Sequence, residues 1–180
     1  MMSTPAAELL SHGYLARSER RFADARKYFA EAVEKCRKAN DRLLLAQALS
    51  GLGQIERDLG NPAVALKHYN DAVALRRTHA EPLLVAHSIR HVADILREQG
   101  QLAMAALSYE EALEIYRKHE ETPSLDLANA IRGYALLMAE TGDTEEAVFL
   151  WHEAMALYSG CGVEAGVAES QSQIAFLMGR

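Results

Sequence analysis

Two histidines and an aspartate at helical spacing are the side chains best placed to do chemistry. His87, His91 and Asp94 stand one turn apart in succession, so a helix would carry them on one side. Imidazoles at i and i+4 can hold zinc, but the stretch reads His-Ser-Ile-Arg-His and lacks the glutamate of the His-Glu-x-x-His motif. Arg90 between them would oppose a cation. We therefore predict polar surface here and no metal site.

Other catalytic signals are missing from the sequence. It contains no Gly-rich phosphate loop, no nucleophile elbow and no pair of carboxylates in an apolar surround. The remaining histidines are scattered and form no cluster. The sequence thus predicts no catalytic residue, no cofactor and no enzymatic activity.

Arginines form the second pattern with chemical meaning. Arg17, Arg57 and Arg97 stand 40 residues apart, and Arg90 and Arg132 stand 42 apart. Guanidinium groups hold carboxylates with two parallel hydrogen bonds, so a row of them predicts a site for an acidic segment. The alternative is a set of solvated charges neutralised within their own helices, with Arg90 and Arg97 both paired to Asp94.

The arginine spacing follows from a helix that recurs four times. Each copy reads small residue, three residues, aromatic, two residues, Ala, which falls on one stripe of a helix. The copies are Ala25/Phe29/Ala32, Ala65/Tyr69/Ala72, Ala105/Tyr109/Ala112 and Ala147/Trp151/Ala154. Four copies at a near-constant period predict a tandem array with these residues in its core.

Capping and helix-breaking residues divide the array. Thr4, Asp41 and Asp143 are predicted N-caps, and Gly60 and Gly142 are predicted helix ends. Pairs of helices then give repeats at about 5–39, 41–79, 81–119 and 123–159, followed by a capping helix at 163–178. No linker or low-complexity stretch interrupts them, so we predict a single domain over residues 1–180.

The chain resembles tetratricopeptide repeats, of the long type found in kinesin light chains and bacterial regulatory proteins. Leu49-x2-Leu52-Gly53 matches the signature of the first helix, and the four Ala-x3-aromatic pairs match that of the second. The family places an aromatic residue late in the first helix. This chain lacks it, and Glu56 stands at that position in one repeat. The resemblance implies an all-α, right-handed α-solenoid of four helix-turn-helix repeats plus the capping helix.

In this family the first helices line a concave surface that receives ligands. The residues on that stripe are therefore the candidate peptide-binding set: Tyr14, Arg17, Gln47, Gln54, Arg57, His87, Arg90, Asp94, Arg97, Asn129 and Arg132. Gln47, Gln54 and Asn129 could bond the amides of a bound backbone. We predict a scaffold that binds an acidic protein or peptide.

The composition limits the classes of partner and the cellular compartment that we expect for this protein. The net charge of −6 disfavours nucleic acid, and no apolar run is long enough to span a membrane. The N-terminal stretch lacks the features of a secretory signal, and Cys36 and Cys161 match no disulfide or metal spacing. We therefore expect a cytoplasmic protein with reduced thiols.

The capping helix leaves a second function open. It ends Ile174-Ala-Phe-Leu-Met178, which is apolar on all sides, and exposed apolar clusters often mark contacts. A homodimer formed through Ile174, Phe176, Leu177 and Met178 is the alternative to the peptide-binding scaffold.

Overall fold

The computed structural model describes residues 5–79 and 81–179, and within these ranges it contains nine helices and no strand. They are α1 (Ala6–Ser18), α2 (Phe22–Ala39), α3 (Arg42–Asp58), α4 (Pro62–Arg77), α5 (Pro82–Glu98), α6 (Leu102–Lys118), α7 (Ser124–Thr141), α8 (Thr144–Gly160) and α9 (Glu164–Met178). The predicted order and bounds agree within about two residues, the usual uncertainty of helix ends. The all-α fold class is confirmed.

Local chemistry sets several of these bounds. The Asp41 carboxylate accepts a hydrogen bond from the Leu44 N–H at 3.0 Å, and Asp143 accepts one from the Glu146 N–H at 3.2 Å. Both are the predicted N-caps, which satisfy backbone donors that the first helical turn leaves open. Gly142 ends α7 with φ +89°, a conformation that favours glycine. The predicted cap at Thr4 lies outside the described residues.

Contacts between Cα atoms divide the chain into two compact units, Met1–Ser88 and Ile89–Arg180. In the first unit α1 packs on α2, α2 on α3 and α3 on α4, and α1 also contacts α3. In the second unit α6 packs on α7, α7 on α8 and α8 on α9. We call α1, α3, α5 and α7 the first helices and α2, α4, α6 and α8 the second helices. The single domain stays a prediction.

The repeated aromatic residues form the core, as predicted. Phe29, Tyr69, Tyr109 and Trp151 are fully buried, together with the alanines of all four copies. Glycines on the first helices make room for these rings. A Cβ atom at Gly51 would lie 2.4 Å from the Phe29 ring, and one at Gly53 would lie 2.7 Å from the Tyr69 ring. The signature therefore encodes a close helix–helix approach filled by an aromatic side chain.

The structure buries two of the four apolar side chains that were expected to form a contact on the capping helix. Ile174 and Leu177 are buried within the chain, whereas Phe176 and Met178 are 56% and 72% exposed. For Ile174 and Leu177 the expectation of an exposed dimer contact is wrong, because α9 uses this face to pack against α8. Association through Phe176 and Met178 stays a prediction.

Candidate functional site

In the unit Met1–Ser88 the predicted side chains on the first helices already have partners within the protein. Arg17 on α1 pairs with Asp58 at the end of α3, with 2.7 Å between Nε and Oδ2. This bond joins the first helices of successive repeats. Arg57 also has an interaction partner, and so does His87. Arg17, Arg57 and His87 therefore all have interaction partners within the protein.

Tyr14 and Gln47 come together on the same face of this unit. The Tyr14 ring packs edge-on against Phe29, with 5.0 Å between ring centroids. Burial raises the pKa of Tyr14, while a hydrogen bond with Gln47 opposes the rise. Gln54 lies further along α3, and its buried Oε1 atom has no hydrogen-bond partner within the described residues. These amides are consistent with the predicted backbone-binding role but do not test it.

In the unit Ile89–Arg180 the predicted side chains on α5 form a bonded group. Arg90 donates to Asp94 at 3.0 Å and to Nε2 of His91 at 2.9 Å. Because a guanidinium only donates, Nε2 of His91 must accept, so this nitrogen carries no proton. Asp94 also accepts from the hydroxyl of Tyr109 at 2.6 Å. Burial and the Asp94 carboxylate together raise the pKa of Tyr109.

Arg97 and Arg132 reach carboxylates on other helices. Arg97 forms an ion pair with Glu140 at the end of α7, not with Asp94 as the within-helix alternative expected. Arg132 binds Glu169 of α9 with two hydrogen bonds, at 2.7 Å from Nε and 2.5 Å from Nη2. The amide oxygen of Asn129 accepts from the Tyr158 hydroxyl at 2.8 Å. Hydrogen bonds therefore tie α5 to α6 and to α7, and α7 to α8 and to α9.

We call this group the arginine cluster. It contains Arg90, Asp94, Arg97, Asn129, Arg132, Glu140, Tyr158 and Glu169. Its three arginines face three carboxylates, so the cluster is electrically balanced among the described residues. The binding of an acidic segment by these arginines stays a prediction. Neutralisation occurs mainly between helices, whereas the sequence suggested pairing inside each helix.

Two arginines in the cluster keep unused hydrogen-bonding capacity. The Nε atoms of Arg90 and Arg97 are buried and have no acceptor within the described residues. Each guanidinium carries five N–H donors, and a buried donor left unpaired costs about 1–3 kcal/mol. Glu140 and Glu169 are in contrast 41% and 34% exposed. The carboxylates that hold Arg97 and Arg132 are thus part-exposed, whereas Asp94, which holds Arg90, is mostly buried.

The sequence did not predict the carboxylates that pair with Arg17, Arg97 and Arg132, or the hydroxyls of Tyr109 and Tyr158 that bond Asp94 and Asn129. Asp58 and Glu140 pair with arginines 41 and 43 residues earlier, which is one repeat period plus a short offset. A search for acidic residues at that offset would have found both. Glu169 lies 37 residues after Arg132, which is less than one repeat period, so the same search would have missed it. Tyr109 was assigned only to the core, yet its hydroxyl reaches Asp94.

Two negative findings concern the described residues only. Within residues 5–79 and 81–179 no group of three His, Cys, Asp or Glu side chains is arranged to hold a metal ion. His91 lies against Arg90, with 2.9 Å between its Nε2 atom and the guanidinium. In the same ranges no helix has the length and apolar character needed to cross a membrane.

The fold and the repeat signatures define the class of protein. Tetratricopeptide repeat family models match residues 5–78 and 85–122, which together exceed half of the chain. The chain belongs to the tetratricopeptide repeat family. Members are generally non-catalytic scaffolds for protein interactions, and this supports a protein-binding role for the chain. None of the curated proteins matches the chain by sequence.

Two solved structures share the fold. BtubC (BKLC) from P. vanneervenii is 20% identical with a TM-score of 0.70, and the match covers 93% of this chain and 79% of that one. The apo form of RapI is 14% identical with a TM-score of 0.82, and the match covers 92% of this chain and 60% of RapI. The chain therefore spans less than two thirds of the length of RapI. At these identities the likeness concerns the fold alone.

Proposed function

We propose that this protein is a binding scaffold that docks an acidic protein segment on the arginines of its first helices. The arginine cluster of the unit Ile89–Arg180 is the best supported site. Three guanidiniums on two first helices project there beside Asn129, whose amide can also bond a peptide backbone. The observation that carries the proposal is that Arg97 and Arg132 are held by part-exposed carboxylates of other helices, which an incoming carboxylate can replace.

Because the charges of the cluster are balanced, an acidic ligand would have to bind by displacing a carboxylate of the protein. An incoming carboxylate has to replace Glu140 or Glu169 at its arginine, because those positions are already occupied. Both glutamates are part-exposed, so they can turn into water once displaced at little cost, as expected for ion pairs near the surface. Binding is then an exchange of carboxylates, which predicts modest affinity and strong dependence on salt.

This exchange predicts which substitution should strengthen binding. Glu169→Gln removes the competitor at Arg132 and should tighten the binding of a fluorescent Glu/Gly peptide of about ten residues, by roughly two- to tenfold. Arg97→Gln/Arg132→Gln should weaken it by about tenfold or more. Fluorescence anisotropy at about 50 and about 300 mM salt measures both effects, and affinity should fall at the higher salt.

Arg37→Gln is the matched control. Arg37 pairs with Glu34 inside α2 at 3.1 Å and lies on a second helix, so its loss changes the net charge without touching the cluster. Binding to this variant should equal that of the wild type. The proposal is wrong if a Lys/Gly peptide binds as well as the Glu/Gly peptide, or if Arg97→Gln/Arg132→Gln leaves affinity unchanged while circular dichroism shows an intact fold.

A further inference from the structure

The second helices of the unit Ile89–Arg180 carry exposed apolar side chains on a face that the proposed function does not use. Met104 and Leu107 on α6 are 55% and 62% exposed, and Phe149 on α8 is 63% exposed. Leu107 and Phe149 occupy the same place in their repeats, two residues after the signature alanine. The corresponding residues of the other unit are Lys27 and Lys67. Lysine therefore suits this position, and the apolar residues are not required by the repeat.

Acidic residues and a tyrosine accompany Leu107 and Phe149 in this unit. Glu110 lies one turn after Leu107 on α6, and Glu146 lies one turn before Phe149 on α8. The hydroxyl of Tyr134 on α7 donates to Glu110 at 3.1 Å. The field of Glu110, Glu146 and Asp143 adds to burial in raising the pKa of Tyr134 to about 12. Negative charge from α6 and from the start of α8 therefore acts on the same hydroxyl.

Glu110, Tyr134 and Arg117 line a pocket of about 400 Å³ between α6 and α7. Arg117 binds Glu153 of α8 at 2.9 Å, so α8 also reaches the edge of this pocket. We give the name acidic–apolar face to the set Met104, Leu107, Glu110, Tyr134, Glu146 and Phe149.

The charge of this face is negative. Among the described residues, Glu110, Glu145 and Glu146 take part in no ion pair, and the two basic residues at the pocket, Arg117 and Lys118, are held by Glu153 and Glu114. The face therefore offers large apolar side chains framed by unpaired carboxylates. A partner that fits it must bring apolar side chains flanked by positive charge.

We infer that the acidic–apolar face binds a basic amphipathic helix of a partner protein. A helix that packs into a groove between two others presents an apolar stripe at i, i+3, i+4 and i+7, which here would cover Leu107 and Phe149. Lysines or arginines at the edges of that stripe would meet Glu110 and Glu146. Charge complementarity excludes an acidic helix, since like charges brought together at an interface are repulsive. This surface shares no residue with the arginine cluster.

Synthetic peptides of about 18 residues, long enough to form a helix on binding, test the inference. A fluorescent Leu/Lys peptide with an amphipathic helical pattern should bind with saturation in the micromolar range. A Leu/Glu peptide of the same pattern, and a Ser/Lys peptide of the same charge, should each bind about tenfold more weakly or worse. The three probes separate apolar contact from charge.

Protein variants then locate the binding. Leu107→Lys/Phe149→Lys installs the residue that the first two repeats carry at this position, so folding should be retained, and binding should weaken by about tenfold. Glu110→Gln should weaken it by about two- to threefold. Val64→Lys, which adds a charge at a 42% exposed apolar site on α4, is the matched control and should have no effect. Arg97→Gln/Arg132→Gln should likewise leave it unchanged.

Several results would overturn the inference. They are the absence of saturable binding, equal affinity for the Leu/Glu peptide, or unchanged affinity in folded Leu107→Lys/Phe149→Lys. Loss of binding in Arg97→Gln/Arg132→Gln would also overturn it, because the peptide would then occupy the first helices. Loss in Leu107→Lys/Phe149→Lys alone would support the inference whether or not acidic peptides bind the arginine cluster.

Discussion

Glu56 is a charged residue at a position where tetratricopeptide repeats usually place an aromatic ring. Its side chain is 2% exposed, and its carboxylate accepts from Arg26 at 2.6 Å and from Asn61 at 2.9 Å. Burying a carboxylate is costly unless its partners compensate for the lost water. Arg26 and Asn61 provide that compensation at the edge of the core, and this explains how the repeat tolerates the replacement.

Substitutions at Glu56 should separate packing from charge. Glu56→Ala should lower the free energy of unfolding by about 1–3 kcal/mol, because it removes buried atoms and leaves Asn61 unpaired. Glu56→Met should cost less, since a buried ion pair can often be replaced by an apolar side chain of similar volume. Urea denaturation measures both.

Glu34→Ala provides the comparison for Glu56. Glu34 is 61% exposed and forms a local ion pair with Arg37, so its loss should change stability by less than about 0.5 kcal/mol. Equal effects of Glu34→Ala and Glu56→Ala would contradict the compensating role of Arg26 and Asn61.

At the scale of elements, contact between first and second helices depends on glycine. Gly51 of α3 meets the fully buried Phe29 ring of α2 with no room for a methyl group. The ring lies in the core and cannot move away without displacing its neighbours. The same relation joins Gly133 to Tyr109 and Gly166 to Tyr158. Glycine here is required for close approach rather than for an unusual backbone conformation.

Gly51→Ala should therefore destabilise the protein by about 1–3 kcal/mol, the usual cost of overpacking a core. Gly160→Ala is the matched control, because a Cβ atom there would meet nothing within 4 Å. That control should be neutral or stabilising by up to about 1 kcal/mol, as glycine is a poor helix former. Thermal melts that rank the two variants in the opposite order would disprove the assigned helix packing.

Across the whole molecule, tyrosines with raised pKa values should make the fold sensitive to alkaline conditions. Burial is the main cause of a raised pKa at Tyr14, Tyr109, Tyr134 and Tyr158. A group whose pKa is higher in the folded chain favours folding while it stays protonated. Its contribution is fully present below the unfolded pKa of about 10 and is lost as pH rises through the folded pKa.

We therefore expect the urea midpoint to fall between about pH 10 and pH 12, with little tyrosine-dependent change below that range. Absorbance of the phenolate should show the native protein titrating at higher pH than the same protein unfolded in urea. Tyr134→Phe should remove part of the native high-pH signal. Identical titration curves for folded and unfolded protein would rule out the pKa shifts as a source of alkaline instability.

The sequence by itself determined the local and periodic features of this protein. Helix bounds, the N-caps at Asp41 and Asp143, and the buried aromatic of each repeat follow from patterns a few residues long or from a fixed period. The same period placed Arg97 and Arg132 on first helices. These features do not depend on which helices become neighbours, because the residues that produce them lie within each repeat.

Only the tertiary structure decided how the side chains are paired. Arg97 lies three residues from Asp94 on α5 yet pairs with Glu140, and Arg132 pairs with Glu169 of the capping helix. Long side chains reach across several ångströms, so their partners depend on the angle and distance between packed helices. The same packing buries Ile174 and Leu177 and leaves Phe176 outside. Charge balance and surface character are thus properties of the helix assembly, which a repeat pattern does not specify.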